Sequence, residues 1–190
     1  MSRTTTVHQP GAALSAVSAR TADLVGSAPD TSAAIPNSPW TVRRAAVHLV
    51  VLGFRYAGMV HGEPTQYPTL DPSDCARRDD ELSADIPESH SAELGVLMGE
   101  ATERLLSATL ACPETRSVLF DGGTILAVRH LLGIAVAEHL LHGHDIAVAL
   151  RRPWRIDPAH AALALDGCAA RDGHRSDRMH RDVHGPFGCP

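Results

Sequence analysis

A chain of 190 residues is long enough to bury one hydrophobic core, and it falls within the usual size of a single domain. Hydrophobic residues make up 44% of the chain and aromatic residues only 4%, a composition that favours helices over sheets. The formal charge of −5 argues against the basic surface that binding of nucleic acid normally requires. We therefore predict an all-α protein that binds no nucleic acid.

No stretch of the chain has the pattern of a targeting or membrane segment. The N-terminal region lacks a continuous apolar core, because Arg20 and Asp23 interrupt it, which argues against a signal peptide. The longest apolar run, 45–60, is short for a bilayer span and contains His48 and Arg55. The four cysteines are widely separated, which is typical of reduced thiols in the cytosol. We expect a cytoplasmic protein that does not enter a membrane.

Hydrophobic residues recur at helical spacing in four long segments. Thr41 is the expected N-cap of the second, and Pro113 ends the third. After Asp121-Gly122-Gly123, a turn signal, Thr124 is expected to open the fourth. The four predicted helices are 11–26, 41–62, 91–111 and 124–150.

The remaining segments are predicted to be less ordered. Residues 62–89 carry four prolines and a cluster of charges, which predicts a long surface connection of the kind that a bundle with a crossover needs. A short last helix is expected over 158–165. Beyond it, scattered Arg, Asp and His residues offer too few apolar side chains to order the chain. We therefore predict a helical domain over 1–165 and a disordered tail over 166–190.

The stretch 131–157 carries the strongest indication of function. Within it Glu138 and His142 stand four residues apart in an apolar helical pattern, so both side chains project from one helix face. Burying the Glu138 carboxylate there costs free energy unless it is paired with a cation or coordinated to a metal. A carboxylate and an imidazole that project to the same point can together supply half of the ligands of a metal site. Asp145, nearly one turn further on, is either an acceptor that orients a ligand imidazole or a surface carboxylate near the helix end.

His48 lies in the second predicted helix, which is apolar on nearly every face after Arg44. A lone histidine in such a helix is usually buried, neutral and hydrogen-bonded to a neighbour, and the alternative is a third metal ligand. A pairing of Glu138 with His48 or Arg129 would need no metal. His139 points about 100° away from Glu138, which argues against a ligand role. Three other histidines are weaker candidates because no motif supports them: His61, His130 and His144.

Two motifs resemble one known family. The run EHLLHGHDIAVALRRPW at 138–154 looks like a helix of the mycothiol-dependent maleylpyruvate isomerases and their relatives, a branch of the DinB-like metalloproteins. In that helix, Glu-x-x-x-His-Gly-x-Asp-Ile carries two metal ligands. The run SPWTVRRAAVHL at 38–49 resembles the family's helix-starting segment, whose His supplies the third ligand. Two motifs about ninety residues apart and in the right order are more specific than either alone.

The resemblance implies a DinB-like four-helix bundle with a long crossover connection, and a divalent metal held by His48, Glu138 and His142. Two imidazoles and one carboxylate leave a position open, which is typical of catalytic zinc, although nickel or iron accept similar ligands. The implied cosubstrate is mycothiol, a low-molecular-weight thiol held as thiolate for S-transfer or for cis–trans isomerisation of a small electrophile such as maleylpyruvate. The expected partners are therefore a small thiol and an electrophile, and relatives of this kind often form homodimers.

Two departures weaken the transfer of activity from the family. His144 stands where relatives often carry a bulkier hydrophobic or aromatic residue. Many relatives also have a second, C-terminal domain from about this chain's residue 166, and no stretch here resembles it. In the named isomerase that domain contributes to the active site. The alternative function is a non-enzymatic metal-binding helical bundle that acts as a ligand-binding or interaction module.

Overall fold

The computed structural model describes residues 8–64, 71–86, 90–112 and 116–183. These residues form six α-helices and one two-stranded antiparallel sheet, so the prediction of a mostly helical protein is confirmed. None of the described helices is long and apolar enough to cross a bilayer. The elements in chain order are α1 (His8–Gly26), α2 (Val42–His61), α3 (Pro72–Ala84), α4 (Ser91–Leu110), β1 (Ser117–Phe120), β2 (Thr124–Ala127), α5 (Val128–Ala149) and α6 (Pro158–Val183).

Four long helices, α1, α2, α4 and α5, enclose the main hydrophobic core. Helix α2 packs on α4 and α5, and α1 packs on the same two helices from the other side. Thr41 caps α2 as predicted, because its side-chain oxygen accepts a hydrogen bond from the backbone N–H of Arg44 at 3.2 Å. Apolar residues spaced three and four apart line the inner faces, among them Leu14, Val17, Leu49, Leu52, Met98, Leu105, Leu131 and Ile134.

The connection between α2 and α4 contains a helix, α3, where a surface loop was predicted. Asp71 caps this helix by accepting hydrogen bonds from the backbone N–H groups of Ser73 and Asp74, at 2.9 and 3.3 Å. Arg77 and Arg78 both pair with Glu81 on its exposed side. Helix α3 therefore forms from caps and charge pairs, without the apolar repeat on which the prediction relied. The parts of the predicted loop at 65–70 and 87–89 lie outside the described residues.

A β-hairpin precedes α5, so the prediction that Thr124 opens this helix is wrong. Strands β1 and β2 pair in antiparallel register, with Ser117 opposite Ala127, and Asp121-Gly122-Gly123 forms the turn between them. An Asp-Gly pair between short apolar runs is a hairpin signal as well as a helix-start signal. The turn is held to α2 by a buried ion pair between Asp121 and Arg55, at 3.2 Å.

Helix α6 begins at Pro158, as predicted for the short last helix, but it extends past Leu165 to Val183. Helix α6 packs along α5, and Gly133 and Gly167 lie where the two backbones meet. A Cβ atom on Gly167 would lie 2.7 Å from the backbone oxygen of His130. A contact between two glycines leaves no trace in the pattern of apolar side chains, so it could not be predicted from that pattern. The predicted tail's last residues, 184–190, lie outside the described part of the chain.

The expectation of reduced cysteines concerns four residues, of which the structure describes three. Cys75, Cys112 and Cys168 are free thiols and are half-buried. Burial raises the pKa of Cys168, and it raises the pKa of Cys75 together with the nearby charges of Asp121 and Asp79. A raised thiol pKa disfavours the reactive thiolate at neutral pH. Cys189 lies outside the described residues.

Candidate metal centre

The structure brings His48, Glu138 and His142 together, as the sequence predicted. His48 projects from α2, and the other two project from neighbouring turns of α5. Nε2 of His142 lies 3.4 Å from Oε2 of Glu138, and Nε2 of His48 lies 3.9 Å from the same oxygen. One donor atom from each residue lies within 4.8 Å of the other two, which makes the group able to hold a metal ion. It is the one such group of three among the described residues.

The three side chains are mostly buried but remain within reach of solvent. Their exposed fractions are 13% for His48, 26% for Glu138 and 18% for His142. Burial opposes the charge of Glu138, but the nearby imidazoles of His142 and His48 outweigh it and hold the pKa of the carboxyl far below its usual range. Glu138 is therefore an anionic oxygen donor at neutral pH, placed between two nitrogen donors.

Trp40 forms an aromatic wall beside both imidazoles. Its ring centroid lies 5.3 Å from that of His142, nearly parallel to it, and 5.1 Å from that of His48. The loop before α2 fixes this tryptophan, since the backbone N–H of Ile35 donates to the Trp40 carbonyl at 2.9 Å and Ile35 is itself buried. The rings of His48 and His142 meet edge to face, 5.0 Å apart. The two imidazoles are thus packed in place by an aromatic neighbour.

The outer nitrogens of the two imidazoles face two further carboxylates. Nδ1 of His48 lies 3.6 Å from Oδ2 of Asp79 in α3, in the segment that was predicted to be a loop. Nδ1 of His142 lies 3.9 Å from Asp145, which exceeds hydrogen-bond distance, and this buried nitrogen has no hydrogen-bond partner among the described residues. Asp145 is therefore close enough to act on His142 electrostatically, whereas its predicted role as a direct acceptor is not seen in this geometry.

The other histidines lie outside the group of three. His139 is 5% exposed, and its burial lowers its pKa to about 4, so it is a neutral core residue. His130 lies 3.7 Å from Asp166 of α6, while His61 and His144 are exposed. The predicted exclusion of His139 agrees with this placement, and the three weaker candidates do not join the site.

The donor set is one that a divalent metal ion can use. Two imidazole nitrogens from two helices face the same carboxylate oxygen of Glu138. Arg129, the other partner considered, instead hydrogen-bonds His130 at 3.1 Å. Nitrogen and oxygen donors in this combination are the ligands of zinc, nickel and iron sites.

No family model, curated protein or solved structure matches this chain. Its function must therefore be inferred from these three side chains, their surroundings and the two sequence motifs that carry them.

Proposed function

We propose that this protein binds one divalent metal ion through His48, Glu138 and His142, and that the ion is zinc. The observation that carries the proposal is the convergence of two imidazoles and one carboxylate from two helices on a single point. Three protein ligands leave a coordination position for water or a substrate, which is the arrangement of catalytic zinc sites, whereas structural sites use four.

We further propose a DinB-like four-helix bundle, with α1, α2, α4 and α5 as its four helices and membership in the family of mycothiol-dependent maleylpyruvate isomerases. The two motifs that resemble this family fall at the start of α2 and within α5. Both motifs therefore contribute to one site although they are far apart in sequence. The long segment between α2 and α4, which contains α3, would be the crossover connection.

The activity proposed for this site uses the low-molecular-weight thiol mycothiol in one of two ways. The thiol is transferred to a small electrophile with loss of a leaving group, or it adds reversibly to a cis double bond such as that of maleylpyruvate, which allows rotation about the resulting single bond before elimination of the thiol gives the trans isomer. A zinc ion supplies the chemistry by lowering the pKa of a bound thiol. Among the chain's own residues, Glu138 would contribute a negatively charged oxygen, the two histidines would contribute ring nitrogens, and Trp40 packs against both imidazoles. The protein would act in the cytoplasm.

To test this activity, zinc-loaded protein is mixed with mycothiol and maleylpyruvate. Turnover is monitored through the change in absorbance as the cis isomer is lost. We expect turnover that needs both the thiol and the metal and that disappears in Glu138→Ala. His144→Ala is the matched control, because this exposed residue lies on the same helix outside the site. Zinc binding without turnover of this or other small electrophiles would contradict the enzyme and favour a ligand-binding or interaction module, alone or as a homodimer.

The fluorescence of Trp40 should report metal binding directly. We expect Co²⁺ or Ni²⁺ to quench the fluorescence of Trp40 on binding, because the indole ring lies against both ligand imidazoles. The chain has one other tryptophan, Trp154, which packs against Gly143. The quenching should therefore persist in Trp154→Phe and be much weaker in Trp40→Phe, as measured by titration at equal protein concentration. Saturable quenching of undiminished depth in Trp40→Phe would place the ion nearer to Trp154 than to Trp40.

A further inference from the structure

Asp79 and the next residue along α3, Asp80, have contrasting environments. The Asp79 side chain is 17% exposed and turned toward His48, whereas the Asp80 side chain is 71% exposed and pairs with Arg44. Burying a carboxylate costs free energy unless a partner compensates it. The imidazole of His48 is a partner that Asp79 reaches, with Oδ2 of the carboxylate 3.6 Å from Nδ1.

The two nitrogens of the His48 ring serve two different carboxylates. Nε2 faces Glu138 at 3.9 Å, on the side of the metal group, and Nδ1 faces Asp79 on the opposite side. A neutral imidazole carries its proton on one nitrogen and a lone pair on the other. A carboxylate beside Nδ1 favours the tautomer with the proton there, which leaves the Nε2 lone pair directed at the site.

We propose that Asp79 is a positioning residue of the metal centre: when the ion is bound it accepts the Nδ1 proton of His48, fixes the ring, and so docks α3 against the site. This inference rests on the proposed metal binding. Carboxylates that hold ligand histidines in this way raise the basicity of the imidazole. A divalent ion with Glu138 as its single anionic ligand leaves a net charge of about +1, which the Asp79 carboxylate would also balance.

The experiment compares zinc affinities, by competition with a chromophoric chelator, of the unmodified protein and three full-length variants. Asp79→Ala removes the acceptor, and we expect it to weaken zinc binding by roughly 10- to 100-fold. Asp79→Asn keeps an oxygen acceptor without the charge and should recover part of the loss. Asp80→Ala breaks the neighbouring contact of α3 with Arg44 and should leave the affinity unchanged. The visible spectrum of Co²⁺-loaded Asp79→Ala should shift, because the His48 ring is no longer held.

The outcomes separate the two proposals. If the unmodified protein binds zinc while Asp79→Ala binds it equally well with the same Co²⁺ spectrum, the role of Asp79 is overturned and the metal centre stands. If Asp80→Ala loses as much affinity as Asp79→Ala, the carboxylate matters only for docking α3, and the inference also fails. If the unmodified protein binds no metal, both proposals fail. Should Asp79→Ala not fold, as judged by circular dichroism, Asp79→Asn is compared with Asp80→Ala on the same criterion, and equal affinities overturn the inference.

Discussion

Replacing Glu138 or His142 with Ala is expected to abolish the metal content of the protein, from about one zinc ion per chain to none. Each change removes one of only three donors. A site that keeps two protein ligands competes poorly with water and with buffer for a divalent ion. Elemental mass spectrometry on protein purified without chelator and without a polyhistidine tag gives the metal content directly, and His48→Ala should give the same result from the other helix.

The same variants separate metal binding from folding. Zinc at about 100 times its dissociation constant adds about 2.7 kcal/mol to the free energy of unfolding, because it binds the folded chain. For a chain of this size that corresponds to a rise in Tm of about 5–10 °C. The rise should be absent in Glu138→Ala and His142→Ala and present in His144→Ala, whose side chain is exposed. Equal zinc content in His144→Ala and His142→Ala, or no zinc in the unmodified protein after loading and dialysis, would contradict the three-residue site.

Adding a single methyl group at Gly167 is expected to destabilise the protein by about 1–3 kcal/mol. In an exposed helix position, Gly→Ala normally stabilises by about 0.5–1 kcal/mol, since alanine loses less backbone entropy on folding. At Gly167 the new Cβ would lie 2.7 Å from both the His130 oxygen and the Ile134 nitrogen. Both are backbone atoms of the adjoining helix and cannot rotate away, so α6 must shift from α5.

Gly99 of α4 is the matched control, because a Cβ there would meet nothing within 4 Å. Gly99→Ala should therefore raise the free energy of unfolding measured in urea, while Gly167→Ala should lower it, although the chemical change is the same. Both measurements are made on zinc-free protein so that metal affinity does not enter. If the two variants moved in the same direction, the close contact between α5 and α6 would be wrong.

The sequence was sufficient to predict four of the six described helices over most of their length, because in α1, α2, α4 and α5 the apolar repeat persists over several turns, and it also predicted that α6 begins at Pro158. It missed the structure that an apolar repeat does not specify. Helix α3 forms through the Asp71 cap and surface charge pairs, and the part of α6 beyond Leu165 packs on α5 at Gly167. The turn at Asp121-Gly122-Gly123 suits a hairpin as well as a helix start, and the pairing that decides between them lies outside the local sequence.

The candidate site was predictable for a related reason. Glu138 and His142 are one turn apart, so their shared face follows from helix geometry alone. His48 could be added only through the resemblance of its motif to a known family. Trp40 lay inside that motif but carried no sign of contact with the imidazoles, and Asp79 was assigned to a loop. Contacts between distant segments have no local signal in a single sequence. The contacts of Trp40 and Asp79 with the ligand imidazoles could therefore be found only in the structure.

The placement of the three donors on two helices has a consequence for how the chain unfolds. His48 and Glu138 are separated by ninety residues, which include α3, α4 and the hairpin. An ion bound between them would act as a cross-link that closes this long loop, much as a disulfide does, and cross-links that close long loops restrict the unfolded chain most. Removing the ion would leave α2 and α5 held together by their packing alone, so a chelator should lower the temperature at which these two helices separate.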